Sequence, residues 1–435
     1  MTDSGLLDRI RTVSVVVTIV AVGVVVASFI PSRETGSSTT GNFVSAPVDV
    51  SADIPGCDTV EPPVEDEGGL YSRATFGGDS TYDNPAFPWF TAAKAAAMSE
   101  AVRAAVPADV EIELAAPSNS LNFGPVTDFG DSEFDPMTTA YAELTRDGVT
   151  AFVSVNVGPS SDGVPPCVAG ALERRDIDAD GTVVDSGDSW YEIDGVRTYS
   201  RSATAYREDG TRVSVYQSAG SSPAMPLEQQ EAAAIASIPE LAMSAPSPAE
   251  SPVLQVDCSV YPPGDGTVKD LSREAVDAAN AAFTASWAAI PDAPALDRPI
   301  GSLVPDGFGS GICTDVGVGD GTIRLAVSVA GGQPLPTAPD PYDPSFYGQL
   351  PVLRTLPDGS VVEFLDTDIT QMMTSEDGTG LLSRSVTVTR PSGVQVSARS
   401  TVEIAAGGRA PLTLPEPLSA EVLDAVANTP IGQWP

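Results

Sequence analysis

A long internal repeat is the feature that most limits how this chain can fold. Ser200–Arg207 returns as Ser383–Arg390, and both copies continue without a gap through a glycine into a Val-Ser pair. A second pair of matching segments, Asp180–Val184 and Asp358–Val362, occurs in the same order. Because the period of about 180 residues is much longer than that of a solenoid repeat, we predict two homologous domains that each bury their own core.

Each copy ends in the same proline-spaced pattern, Pro-Leu-x11-Pro, which starts at Pro226 in the first copy and at Pro417 in the second. The residues between the prolines have a helical pattern, which predicts a short closing helix. We therefore predict a first domain at residues 56–242, a Pro/Ser-rich linker at 243–255 and a second domain at 256–435.

An uncharged run near the N-terminus predicts a membrane anchor. Thr12–Ile30 contains 19 residues, is rich in Val and Ile, and is long enough to cross a hydrocarbon core as a helix. Arg9 and Arg11 precede it, which favours a cytoplasmic N-terminus at residues 1–11. Residues 31–55 then form a Ser/Thr/Gly/Pro-rich stalk, and the rest of this single-pass protein lies outside the cytoplasm. Cleavage of the run as a signal peptide stays an alternative.

The four cysteines fall two in each predicted domain, which is typical of disulfides outside the cytoplasm. We expect Cys57 to pair with Cys167 and Cys258 to pair with Cys313, although the sequence leaves the two other pairings open. The chain contains no histidine and no CxxC motif, so the cysteines do not indicate a zinc site.

Apolar residues recur at three- and four-residue steps near the start of each predicted domain, which predicts an amphipathic helix there. The residues are Phe90, Met98, Val102 and Val106 in the first domain, and Val276, Ala279, Phe283, Trp287 and Ile290 in the second. Strand-like runs such as Thr150–Val157 and Arg324–Val329 follow, and Asp-Gly pairs between such runs predict hairpin turns. The predicted fold class is α+β: an N-terminal transmembrane helix, then two homologous domains, each an antiparallel sheet with helices packed on one face.

Charge and composition exclude several functions. The formal net charge of −37 opposes binding to nucleic acid. The absence of histidine excludes Ser-His-Asp and Cys-His nucleophile systems within this chain. Phosphate-binding and dinucleotide-binding glycine motifs are also absent. We therefore expect no catalytic residue set and no cofactor.

One acidic segment resembles the first half of a calcium-binding loop. Asp176, Asp178 and Asp180 alternate and are followed by Gly181, as in the loop of an EF-hand. The acidic residue that binds calcium through both carboxylate oxygens at position twelve of such a loop is missing, because Gly187 occupies that position. We interpret the segment as an acidic hairpin turn and keep these three aspartates as a weak calcium candidate.

A second candidate is the segment Asp185-Ser186-Gly187, which resembles the catalytic Asp-Ser-Gly of aspartic proteases. Such enzymes pair one aspartate from each of two lobes around a water molecule. In the second copy the corresponding place is Glu363-Phe364-Leu365, and the nearest acids, Asp366 and Asp368, lack the glycine. This carboxylate-based hydrolase is the alternative to a binding function.

Two aromatic clusters are candidates for ligand contacts. One extends from Tyr82 to Phe90 before the first predicted helix, and the other extends from Pro341 to Tyr347 in a proline-rich loop. Such clusters bind glycans or peptides in some proteins. The simpler interpretation is that they cover a sheet edge.

The layout of an anchor, a Ser/Thr-rich stalk, disulfide-linked domains and a closing Pro-Leu-x11-Pro helix resembles membrane-anchored extracytoplasmic proteins of unknown function from high-GC actinobacteria. The resemblance implies no activity and no catalytic residue. Our main hypothesis is a non-enzymatic cell-envelope binding or scaffolding protein whose partner is an envelope protein, a wall polymer or a small ligand. A carboxylate-based hydrolase and a calcium-dependent adhesion module are the alternatives, and the sequence does not indicate an oligomeric state.

Overall fold

The computed structural model describes residues 43–63, 81–128, 135–161, 163–220, 222–248, 254, 256–260, 271–307, 311–338, 350–368, 380–404, 415–432 and 434. The chain divides into two compact units. The smaller unit consists of Met1–Ser45 and Glu192–Val196, and its described part contains the short strand β1, Phe43–Ser45. The larger unit consists of Ala46–Tyr191 and Arg197–Pro435.

Two antiparallel sheets form most of the larger unit. The strands of the first sheet are β2 Glu111–Ile112, β3 Thr138–Arg146, β4 Val149–Pro159, β5 Arg174–Ile177, β6 Val183–Ile193, β7 Val196–Tyr206 and β8 Thr211–Ala219. The strands of the second sheet are β9 Val304–Pro305, β10 Gly311–Val318, β11 Ile323–Ala330, β12 Val352–Thr355, β13 Val361–Asp368, β14 Gly380–Thr389 and β15 Gln395–Ile404. The spatial order is β6-β7-β8-β4-β3-β2 with β5 paired to β6 in the first sheet, and β12-β13-β14-β15-β11-β10-β9 in the second. Corresponding strands therefore occupy the same places in both sheets.

The predicted hairpin turns are confirmed. Asp-Gly pairs connect β5 to β6, β7 to β8 and β12 to β13, and each connection joins antiparallel neighbours. Their glycines, Gly181, Gly210 and Gly359, have φ values of 84°, 79° and 86°. A side chain with a Cβ rarely adopts this left-handed conformation, so glycine allows the chain to reverse there.

Four α-helices occur in the part of the chain that the structure describes: α1 Ala92–Ala105, α2 Gln229–Ala236, α3 Arg273–Ala288 and α4 Ala420–Ala427. The hydroxyls of Thr91, Ser272 and Ser419 accept hydrogen bonds from backbone amides in the first turns of α1, α3 and α4. The apolar residues that predicted the helices α1 and α3 face the cores of the two sheets. Met98, Val102, Val276 and Phe283 are buried, whereas Trp287 is only partly buried at the margin of the second core.

The predicted fold class, α+β with an N-terminal transmembrane helix, is wrong. The described chain is mostly β-sheet, because its strands are up to 11 residues long and outnumber the helices, which have 8 to 16 residues. None of the helices within the described ranges is long and apolar enough to cross a membrane. The predicted anchor at residues 12–30 lies outside the described residues.

The repeated sequence segments fix the closing helix of each sheet. On β7 and β14, Arg201 donates a hydrogen bond to the carbonyl oxygen of Leu227 at 2.8 Å, and Arg384 donates to that of Leu418 at 3.3 Å. These two leucines follow the repeated prolines before α2 and α4. Gln217 and Ser400 occupy matching places on β8 and β15 and also bind the backbone of these leucines.

A second repeated arginine binds the other end of each closing helix. Arg207 donates to the carbonyl oxygen of Ile238 at 2.8 Å, and Arg390 donates to that of Thr429 at 2.5 Å. Both acceptors directly precede the last proline of the Pro-Leu-x11-Pro pattern. Hydrogen bonds from a charged donor to buried carbonyl groups stabilise more than neutral ones. The repeat therefore encodes the attachment of one helix to one face of each sheet.

Both expected disulfides are present in the structure. Cys57 is bonded to Cys167 and Cys258 to Cys313, with Cα–Cα distances of 6.2 and 5.9 Å. Such bonds form and persist in oxidising compartments. The folded chain is therefore extracytoplasmic.

The two sheets and their helices are also in contact. Leu114 of the first half packs against the core of the second sheet, and Leu254 packs against the core of the first. Arg273 at the start of α3 donates to the carbonyl oxygen of Ile112 in β2 at 3.0 Å. The predicted domain boundaries stay a prediction.

We expect Phe283→Ala to lower the free energy of unfolding by about 3–5 kcal/mol, because the ring is fully buried between α3 and the second sheet. Urea unfolding followed by circular dichroism measures this loss. Trp287→Ala is the matched comparison and should cost less, since Trp287 is partly exposed. Equal losses in the two variants would contradict this placement of the second core.

We expect replacement of either cysteine pair by serine to cost about 2–5 kcal/mol of stability. The Cys57–Cys167 bond spans 110 residues and the Cys258–Cys313 bond spans 55. Since loop-closure entropy grows with the logarithm of loop length, loss of the disulfide that closes the longer loop should lower the stability by about 0.6 kcal/mol more than loss of the other. Urea midpoints of the two double-serine variants test both statements, and native midpoints in either variant would contradict them.

Candidate functional site

The carboxylate of Asp185, the catalytic candidate, is held in an ion pair. Arg175 on β5 donates from Nε to Oδ1 at 2.6 Å and from Nη2 to Oδ2 at 2.7 Å, and its Nη2 also donates to the Pro165 carbonyl oxygen. The side chains of Arg175 and Asp185 are 12% and 11% exposed. Burial and the charge of Asp185 raise the pKa of the nearby Tyr206. This aspartate has no free oxygen pair with which to activate a water molecule.

At the matching places of the second half, the described residues do not supply a partner carboxylate for such a dyad. Burial raises the pKa of Glu363, which stands where Asp185 would be in the repeat. Asp366 pairs with Arg384 at 3.1 Å, as Asp188 pairs with Arg201 at 2.7 Å in the first sheet. Each of these aspartates is neutralised by an arginine of its own sheet, so the structure does not support the aspartic-protease resemblance.

The weak calcium candidate is a hairpin turn. Asp176 forms a bidentate ion pair with Arg174, which lowers its pKa. Asp180 accepts a hydrogen bond from the Thr182 amide, and the Asp178 carbonyl oxygen accepts one from Gly181. Across the described segments, no group of three acidic or cysteine side chains could hold a metal ion.

The buried amine of Lys94 is used for structure. Its Nζ donates to the carbonyl oxygens of Ala242, Met243 and Ala245 at 2.7, 2.7 and 2.8 Å. Burial lowers the pKa of Lys94 to about 8, while the negative charge of Asp209 acts in the opposite direction. Because its donors are all directed at backbone carbonyl groups, this lysine ties the chain after α2 to α1.

The first aromatic cluster belongs to the core. Phe90 is 2% exposed, and Tyr82, Phe87 and Trp89 pack against the same core. The Tyr82 hydroxyl donates to the Phe123 carbonyl oxygen at 2.9 Å. This cluster covers the sheet, as the simpler interpretation expects. The second cluster, at residues 341–347, lies outside the described residues.

The outer face of the first sheet, opposite its core, carries a pattern that the sequence did not reveal. Side chains alternate between the two faces of a strand, and the register of β3, β4, β8 and β7 places the outward-pointing ones in three rows of four. The rows are Glu143, Phe152, Ser218 and Ser200; Tyr141, Ser154, Tyr216 and Ser202; and Thr139, Asn156, Ser214 and Thr204. Eleven of these twelve side chains are uncharged, and the exception, Glu143, stands at a corner.

Three aromatic rings stand in these rows, and we call Tyr141, Phe152 and Tyr216 the aromatic platform. A fourth ring on the same face, Tyr206, lies one row further, opposite Arg212. The Tyr141 and Phe152 rings are stacked, with centroids 5.6 Å apart and planes inclined by 29°. Tyr216 shares a row with Tyr141, two strands away, at a separation of about 9.6 Å from the usual strand spacing. All three are partly exposed, and none of them lies in the cores of the two sheets.

Hydroxyl and amide groups surround the rings and bind one another. Thr139 donates to the Asn156 side-chain oxygen at 2.9 Å, and Thr204 and Ser214 are hydrogen-bonded at 3.1 Å. Asn156 also donates to Ser154 at 3.4 Å. These contacts fix the orientation of the polar groups, so the face presents ordered donors and acceptors beside the aromatic platform.

The same face of the second sheet has a different chemistry. Register places Asp315, Ala326, Arg399 and Ser385 where the first sheet has its middle row. Arg324 stands in the place of Phe152 and donates to Asp315 at 3.0 Å. Part of this face is covered, because the disulfide of Cys313 brings Cys258 and Val260 into a small apolar cluster with it.

Two open grooves lie along α4, with volumes of about 430 and 390 Å³. The first is bordered by Ser286 near the end of α3 and by Ile290 and Pro291 just after it, and the second by β12, β13 and β14. Glu421 borders both grooves, and Arg354 pairs with Asp424 at 3.2 Å in the second. Aliphatic side chains form most of the lining, and the second groove also contains the carboxylates of Glu421 and Asp424.

Comparisons with known proteins give no family. No protein-family model matches the chain, and no curated protein matches it. Among solved structures, the crystal structure of the di-domain ARO/CYC BexL from the BE-7585A biosynthetic pathway is similar at 12% identity, with 70% of this chain and 81% of that chain covered and a TM-score of 0.11. A similarity of that size carries no argument about fold or function.

We expect Asp185→Ala to cost about 3–5 kcal/mol of stability, because it leaves the Arg175 guanidinium buried without its partner. Urea unfolding gives the value. The double variant Arg175→Met/Asp185→Leu should recover most of the loss, and Asp176→Ala, at a solvent-exposed pair, should cost less than about 1 kcal/mol. A near-native midpoint for Asp185→Ala would contradict a structural role for this ion pair.

Proposed function

We propose that this protein is a non-enzymatic binding or scaffolding protein of the cell envelope. The observation that supports the proposal most directly is the outer face of the first sheet, where three aromatic rings stand among oriented hydroxyl and amide groups. In a chain with a net charge of −37, three adjacent rows with a single charged side chain suit a partner that is not recognised by charge.

The chemistry of the candidate carboxylates also favours binding over catalysis. General acid–base work requires a carboxylate that can exchange protons with a substrate. Asp185 and Asp366 are instead paired with arginines, and Asp176 is paired with Arg174. These contacts give the carboxylates structural roles.

The disulfides support a site of action outside the cytoplasm. The proposal also includes single-pass attachment to the cell membrane, and that part rests on the sequence of residues 12–30 alone. An envelope protein or a wall polymer is the proposed partner. Nucleic acid is a poor partner, because the negative field of the chain repels phosphate groups. The resemblance to envelope proteins of high-GC actinobacteria belongs to this proposal as well.

Binding to isolated cell envelope tests the proposed function. We expect the purified full chain to sediment with detergent-washed envelope fragments from the cells that produce it, to saturate them, and to stay in solution after reduction and thermal unfolding. Protease-treated fragments distinguish the partner: loss of binding indicates an envelope protein, and retained binding indicates a wall polymer. If the folded chain stays in the supernatant with both preparations, the proposed function is wrong.

A further inference from the structure

We propose that the aromatic platform and the polar side chains around it bind a neutral polysaccharide. The inference rests on the proposed envelope function and adds the binding face and the class of ligand. A sugar ring presents C–H groups on its faces and hydroxyl groups around its edge. It therefore needs an exposed aromatic surface with hydrogen-bonding groups beside it, which is the combination that this face provides.

The spacing of the rings suits a chain of sugars better than a single one. Tyr141 and Tyr216 lie in one row, separated by about 9.6 Å across β4, a distance that an extended disaccharide spans. Phe152 stands in the next row and stacks on Tyr141 at 5.6 Å. An extended polysaccharide can thus cross the strands and contact two rings with successive or alternate units.

The polar groups are placed at the sides of the rings. Ser154, between Tyr141 and Tyr216 in the same row, is buried and accepts a hydrogen bond from Asn156, whereas Ser202, which follows Tyr216 on β7, is partly exposed. Asn156 lies in the adjacent row with its side-chain oxygen already accepting a hydrogen bond from Thr139. Because Asn156 is held by Thr139 and Ser154, and both Asn156 and Ser202 stand on strands of the sheet, little conformational entropy is lost when these two side chains bind a sugar hydroxyl.

The charge of this face and of the whole chain favours a neutral polymer over an anionic one. Eleven of the twelve outward side chains in the three rows are uncharged, and the exception is acidic. With a net charge of −37 on the whole chain, a polyanion is repelled on approach. A neutral polysaccharide meets no such barrier.

The second sheet shows that such a face is not a general property of this fold. Asp315 and Arg399 occupy the places of Tyr141 and Tyr216, and Arg324 occupies that of Phe152. Arg324 is paired with Asp315, and the segment around Cys258 covers part of this face. We therefore assign polysaccharide binding to the first sheet alone.

Native affinity electrophoresis of the full chain tests the assignment. The gels contain a mixed-linkage β-glucan, a galactomannan or an arabinogalactan as neutral probes, and polygalacturonate as the anionic probe. We expect at least one neutral polymer to retard the native chain and polygalacturonate to leave its mobility unchanged. Tyr216→Ser should weaken binding about tenfold, as the loss of one ring contact predicts, and Tyr216→Ser/Phe152→Ser should abolish retardation.

Matched variants separate ring contacts from folding. Tyr216→Phe keeps the ring and should keep binding, and Arg399→Ala, at the corresponding place in the second sheet, should not change it. Thermal unfolding of each variant confirms that the sheet is intact. Retardation that is equal in the native chain and in Tyr216→Ser/Phe152→Ser, or retardation by polygalacturonate alone, would overturn the assignment.

Failure of this inference is distinguishable from failure of the proposed function. If no neutral polymer retards the native chain while it still sediments with envelope fragments, the polysaccharide assignment is wrong and the envelope function stands. If the chain neither binds a polymer nor sediments with the fragments, both are wrong.

Discussion

The attachment of one closing helix to one face of each sheet is the constraint on which the rest of the structure depends. Arg201 and Arg207 stand on the same side of β7, on either side of small buried residues, and bind the backbone at the two ends of α2. Arg384 and Arg390 do the same for α4 on β14. Because the helix and the core occupy that face, the opposite face of each sheet is left for other contacts.

The disulfides then decide how the two opposite faces differ. Cys313 lies on β10 and points outward, so its bond carries the Cys258 segment onto the outer face of the second sheet. Cys167 lies between β4 and β5, and its bond holds Cys57 in a small cluster with Ile54 and Leu172. The rows around Tyr141 and Tyr216 lie on other strands, β3 and β8. A change in the position of one cysteine between the two halves accompanies the change in the chemistry of their outer faces.

Ion pairing explains why the acidic motifs were weak guides to function. A carboxylate in a strand acquires its role from the residue across from it, and strand partners are distant in sequence or set by the register of a hairpin. Arg175 lies directly opposite Asp185 on β5, so Asp185 of the Asp-Ser-Gly segment is part of a largely buried ion pair. Asp176 differs, because its partner Arg174 lies two residues away on the same strand and binds both of its oxygens.

The sequence encodes the local features of this protein: the repeat, the Asp-Gly turns, the apolar faces of α1 and α3, and an even set of cysteines that pair outside the cytoplasm. These features depend on residues close to one another or on the chemistry of single side chains. Long-range strand pairing, in contrast, makes the fold mostly β-sheet and brings Tyr141, Phe152 and Tyr216 together. Their meeting depends on the register between β3, β4 and β8, and the β4–β8 pairing joins residues about 60 positions apart, which no local pattern encodes.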